Sequence, residues 1–102
     1  MKKEDIPKIA KYEVGWWQAH HKKDWDKIVD FMAKEYSHLY EIPYKNAVKC
    51  VNYRIKAGRE HDIAEKLEDE GKPEEAKVHW NKALGHMVKH FQTLCDKVNT
   101  KN

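Results

Sequence analysis

Gly71-Lys72-Pro73 constrains this chain more than any other feature of its sequence. Glycine just past one helix end and proline just inside the next start is how a chain stops one helix and opens another. Glu74 and Glu75 follow, where acidic side chains favour the positive end of the new helix dipole. Downstream, Ala76, Trp80, Ala83, Met87, His90, Phe91, Leu94 and Val98 recur at helical spacing in one long stripe. Upstream, a helix opening near Tyr44 carries Ala47, Val48, Val51 and Ile55 on one side. Its continuation, Ile63, Ala64 and Leu67, lies on a rotated face. Gly58 falls at the change of face, so either the helix breaks there or its two ends meet different neighbours.

The first half is punctuated in the same way. Pro7 suits a first helical turn behind Glu4 and Asp5. Ile9, Ala10, Glu13, Trp17 and His20 then share one face. Asp24 is a competent N-cap before Trp25, and Trp25, Ile28, Val29, Met32, Tyr36 and Leu39 form the next stripe. Pro43 ends helical growth near Glu41, because the residue before a proline avoids the α region. One long helix or two short ones over residues 6–41 both fit this pattern. Four Gly and three Pro are too few for the frequent turns of a β-sandwich. The expected fold is all-α: a single domain over residues 1–102, a small antiparallel bundle of four helices, or five if Gly58 breaks one.

Composition narrows the function classes. No run approaches the roughly eighteen apolar residues of a membrane span, and four Trp, five Tyr and two Phe are far more aromatic than a solvated tail. The net charge of +3 comes from 20 basic and 17 acidic residues mixed along the chain. Arg54 and Arg59 are the only arginines, so the planar fork that reads phosphate and guanine is scarce, and nucleic acid is not the expected partner. Cys50 and Cys95 both sit at apolar-periodic positions and read as reduced, buried small hydrophobes. The charged start, Lys2-Lys3-Glu4-Asp5, is followed by no apolar stretch of the export type, so the expected location is the cytoplasm.

Ile63, Ala64 and Leu67, then Gly71, Ala76, Trp80 and Ala83, form a hairpin pattern of small residues with two large ones filling the groove. Over residues 60–84 this resembles the helix–turn–helix of tetratricopeptide repeats and of microtubule-interacting-and-trafficking domains. The resemblance implies a helical protein-interaction unit. Glu60 stands where that family opens its first helix with an aromatic residue, and the chain holds no second copy of the repeat.

Seven histidines supply the candidate chemistry. His86 and His90 lie one turn apart on the last helix, a spacing at which neutral imidazoles chelate one metal ion. His61 and Glu65 offer a second pair at the same spacing, completing a mixed nitrogen and oxygen set suited to zinc or iron. His61-x-x-x-Glu65 followed by His86-x-x-x-His90 resembles the middle motifs of hemerythrin-like domains, whose closing His-x-x-x-x-Asp is missing after His90. Glu35-x-x-His38, with Glu13 upstream, resembles half of a ferritin-like di-iron site; the second Glu-x-x-His is absent. Glu13, His20, Glu35 and His38 are therefore the additional metal candidates. Arg54 and His61 also fit the loose Arg-to-His spacing of helical HEPN ribonucleases. No phosphate loop, nucleophile elbow or Cys-x-x-Cys is present.

Trp16 and Trp17 are adjacent on a helix and point about 100° apart, so one of them faces a second element or a partner chain. With Tyr40 and Tyr44 near the Pro43 corner they form the expected interface. The leading expectation is a non-catalytic cytoplasmic module that assembles with itself, as a homodimer, or with another protein. The alternative is a metal-binding helical bundle with zinc or non-haem iron on His and Glu ligands.

Overall fold

Three tight turns and the helices between them account for nearly the whole chain. The computed structural model describes residues 2–99, with side chains described through Cys95. After a short 3-10 turn at Lys3–Asp5 come α1 (Ile6–His21), α2 (Trp25–Tyr40), α3 (Tyr44–Asp69) and α4 (Pro73–Asn99). The described residues hold helices and no strand, so the chain is all-α with four α-helices.

Each turn uses the same backbone device. Lys23, Glu41 and Gly71 adopt left-handed φ values of 55°, 53° and 76°. The amide of the following residue in each case reaches back five positions: Asp24 to the carbonyl of Ala19, Ile42 to Ser37 and Lys72 to Leu67, at 3.0, 3.2 and 2.9 Å. These are Schellman closures, which satisfy carbonyls that a helix end leaves open. Asp24 then caps α2, accepting from the amide of Lys27 at 3.3 Å, and Pro43 and Pro73 stand at the starts of α3 and α4. Residues 6–41 are thus two helices. Gly58 does not interrupt α3, which meets two neighbours: α2 packs on its first half, and α4 runs beside it from the core at Cys50 to the far hairpin.

The helices pack in chain order, α1 on α2, α2 on α3 and α3 on α4. They form a flat body of 48 × 36 × 21 Å. The core lies where α2 and the first half of α3 meet. There Ile28, Met32, Ala33, Tyr36, Ile42, Ala47, Cys50 and Val51 are buried, with Ala19 from α1 and Leu94 from α4 against them. Beyond that core α3 and α4 run on as a hairpin whose seam is made of small residues, Ala57, Ala64 and Ala76, all buried.

Several side chains depart from the expected stripes. On α1 the inward residue of the tryptophan pair is Trp16, and Trp17 is 51% exposed. Close approach of α1 to α2 at Gly15, where a Cβ would stand 3.0 Å from the Phe31 ring, turns the helix so that Tyr12, Trp16 and Ala19 face inward. Cys50 is buried as expected, but Cys95 lies on the surface. Phe91 and Ile63 also lie largely outside, because the apolar arc of each helix is broader than its one neighbour covers. The Val98 side chain falls outside the described residues.

Candidate functional site

Arg54 of α3 is exposed and lines three adjoining cavities. Its Nη1 donates to the Tyr36 hydroxyl at 3.3 Å. That hydroxyl lies 3.0 Å from Nε2 of His90, a residue only 1% exposed. Burial first, and then the Arg54 charge, hold His90 below the usual imidazole range, so its ring is neutral. With Arg54 donating into the Tyr36 oxygen, the phenolic proton is directed at His90 Nε2, and the ring proton stays on Nδ1. Nδ1 is buried with no partner. This Arg54–Tyr36–His90 relay ties α3, α2 and α4 together.

On the other side of Arg54, Glu35 is 8% exposed and shares a cavity of about 220 Å³ with Glu13, Trp16, Met32, Tyr36, Leu39 and Tyr40. Its carboxyl is pushed up to about 8. Burial is the main cause, followed by a hydrogen bond shared with Glu13 and the repulsion of that second carboxyl; the Trp16 indole and Arg54 oppose the shift more weakly. The Trp16 indole nitrogen is buried and acts on the Glu35 carboxyl, outside regular hydrogen-bond geometry. Among the described residues no ion pair joins Arg54 to either carboxylate.

The histidines named from the sequence are dispersed. His61 Nδ1 lies 3.1 Å from Glu65 and 3.4 Å from Asp62. These three are the group whose ligand atoms converge among the described residues, all within 4.8 Å and all exposed. His86 and His90 do not belong to that group: His90 is committed to Tyr36, and His86 is half-buried beside Glu60. Glu60 is engaged by His79 at 2.6 Å, which is the chief reason its carboxyl is held below the usual range. Of the ferritin-like set, Glu13 and Glu35 come together, whereas His38 stacks on Tyr12 and approaches Asp5 at 3.5 Å. His20 is exposed against the edge of Trp25.

The remaining feature is apolar. Leu84, Val88 and Phe91 stand 64%, 46% and 60% exposed along α4, in line with Met87 and Cys95. Beside this ridge two recesses of about 500 and 430 Å³ run along α4. The first lies against α3, between Ala57, Gly58 and His61 on one wall and Trp80, Ala83 and Met87 on the other. Tyr40 and Tyr44 are each about half exposed, and the Tyr44 hydroxyl donates to Asp30 at 2.6 Å.

Sequence reasoning missed Arg54 as a hub and gave Tyr36 and Trp16 no polar role. The available signal was the rarity of arginine in a lysine-rich chain. No helix among the described residues is long and apolar enough to cross a membrane. The chain matches no protein-family model, and comparisons with curated proteins and with solved structures likewise find no match.

Proposed function

We propose that this protein is a non-catalytic, cytoplasmic assembly module that pairs with a second copy of itself through α4, the two copies together completing an antiparallel helical bundle. The observation that carries this is the exposed row Leu84, Val88, Phe91 on a helix covered on one side alone. Scattered surface apolar residues are ordinary, whereas a contiguous row marks a contact. From Lys77 to Cys95 the face is about 27 Å long. At an ordinary helix-packing width of about 8–10 Å each face measures roughly 220–270 Å² in plan, below the roughly 800 Å² per partner of a standard interface, so the pairing expected is a weak, concentration-dependent one.

The face also suits its own copy. In a two-fold antiparallel pairing about residue 86, Leu84 meets Val88 of the other copy, and the projecting Phe91 comes over the recess beside Trp80 and Ala83. A knob and a hole on one surface are what an isologous contact requires. Trp17, Tyr40 and Tyr44 are single exposed rings at two ends of the α1–α2 hairpin and support a partner surface less well.

Sedimentation equilibrium tests the reading. The expected result is a dimer that Phe91→Asp converts to a monomer with unchanged helical circular dichroism. A parent protein that stays monomeric up to millimolar concentration overturns it.

A second reading, a zinc- or iron-binding bundle, has one supporting feature, the convergent His61, Asp62 and Glu65. It predicts a stoichiometric zinc-induced rise in melting temperature that His61→Ala abolishes.

A further inference from the structure

Both arginines of this lysine-rich chain line one recess. Arg54 and Arg59 stand five residues apart on α3, roughly 7.5 Å along its axis, beside a cavity of about 250 Å³ between α3 and the α1–α2 hairpin. Neither forms an ion pair among the described residues, although the chain carries 17 acids. Each contacts an uncharged group instead: Arg54 the Tyr36 hydroxyl at 3.3 Å, and Arg59 the Trp25 ring, 5.2 Å from its centroid. A hydroxyl or a ring face leaves the guanidinium charge without a counter-ion and most of its N–H groups free to donate. Both residues are exposed, so a ligand reaches them from solvent. Asp62 is the acid among the lining residues, and His61 stands against it at 3.4 Å.

Gly58 lies between the two arginines and lines the same cavity. Glycine inside a helix costs stability that alanine does not, and no packing requires it here: nothing stands within 4 Å of the Cβ it lacks. Its missing side chain leaves room over the helix backbone. Trp25, Ile28, Met32 and Ile55 supply an apolar wall. An apolar recess with a few placed charges is the usual form of a small-molecule site.

We propose that this recess binds a compact aromatic compound bearing one oxyanion group, a carboxylate or a phosphate. The oxyanion sits over Gly58 with a guanidinium on either side, and the ring lies against Trp25, Met32 and Ile55. Arginine's planar fork meets either oxyanion with paired hydrogen bonds, a geometry that lysine lacks. A bare anion would leave the apolar wall wet, and a neutral ring would leave both guanidinium charges without a counter-ion, so the ligand carries both parts. The volume of about 250 Å³ suits a single or fused ring on a short acidic arm. The site does not rest on the α4 contact, and its binding is read on monomer and dimer alike.

The test is titration of the ¹⁵N-labelled protein with indole-3-acetate and, separately, with phenyl phosphate, following the Gly58 and Arg59 amides and the Trp25 indole N–H. EDTA is present throughout, so that no metal on His61 and Asp62 contributes. Indole-3-acetamide, a ring without the charge, and inorganic phosphate, a charge without the ring, serve as controls. The expected result is a saturable shift with at least one of the two aromatic anions, and which one saturates tells which oxyanion the site takes. Both controls are expected to bind at least about tenfold more weakly. Arg59→Gln, which removes one fork, and Gly58→Leu, which fills the floor, are expected to lose as much while keeping the parent's helical circular dichroism. The absence of a saturable shift with both aromatic anions at tens of millimolar concentration overturns the proposal. So does indole-3-acetamide binding as tightly as indole-3-acetate, or a folded Gly58→Leu protein that binds as the parent does. The two controls need no substitution, so the result stands even where a variant fails to fold.

Discussion

Glu35 is carried into the interior beside another carboxyl, and the molecule's response to pH follows from that placement. Its folded-state value of about 8 stands above the ordinary glutamate value of 4.5, so the folded chain holds a proton that the unfolded chain has given up. Stability from this group is fully present below about 4.5, drains away as pH rises, and is gone above about 8. Glu35→Gln keeps the shape and cannot ionise. Its melting temperature is expected to match the parent's in acid and to exceed it by several degrees above pH 8, as measured by circular dichroism across that range. A parent and variant that run parallel at every pH contradict this. His90 acts in the opposite sense: its lowered value makes folding lose ground as the pH falls, but both proteins carry it and the difference between them cancels its effect. The sequence singled out Glu13 as an acid on the apolar face of its helix, and Glu35 through the Glu-x-x-His spacing that resembles half of a ferritin-like site. It did not reveal Arg54 as their neighbour. Arg54 comes from α3, and which face of a long helix meets which neighbour is a tertiary fact that spacing within the helix does not contain.

Element boundaries were the most legible part of the chain, since each rests on local chemistry. Asp24 caps, Pro43 and Pro73 open, and Gly71 closes. The left-handed closures at Lys23 and Glu41 carry no glycine; Pro43 marked the second, and the first, with no such marker, left residues 6–41 open to a one-helix reading. The glycines inside helices show the same divide between local and tertiary causes. Gly58 has nothing within 4 Å of the Cβ it lacks, whereas at Gly15 a Cβ would meet three Phe31 ring atoms at 3.0–3.1 Å. Replacing glycine by alanine inside a helix gains about 0.5–1 kcal/mol where there is space. Gly58→Ala is therefore expected to raise stability by about that amount in chemical denaturation. At Gly15 the same gain is opposed by overpacking that costs about 1–3 kcal/mol, so Gly15→Ala is expected to be neutral or destabilising. Equal gains at the two positions would remove Gly15 as the reason α1 presents Trp16 inward.

At the scale of the whole molecule, packing the helices in chain order leaves an uneven body. The core of α2 and the first half of α3 holds the large buried side chains, while the far hairpin is closed over Ala57, Ala64 and Ala76, with Leu67 and Trp80 only partly covered. Small residues let the helices approach closely, but they bury little area, and stabilisation scales with the apolar area removed from water. Opening is then expected to be local, with the hairpin tip exchanging its amide hydrogens well before the core. Alanines at 64 and 76 made the hairpin readable in the sequence, and the uncovered side of α4 was not, because a long apolar stripe looks the same whether one neighbour covers it or two. Concentration separates the two kinds of protection. Pairing through α4 adds stability by mass action, so amides around Leu84 to Phe91 are expected to exchange more slowly as the protein is concentrated. Those from Asp62 to Ala76 lie away from the contact and should follow local opening alone. Uniform slowing along the chain would mean that dimerisation and folding are one event; slowing confined to α4 is the result expected for a folded module that pairs through one helix.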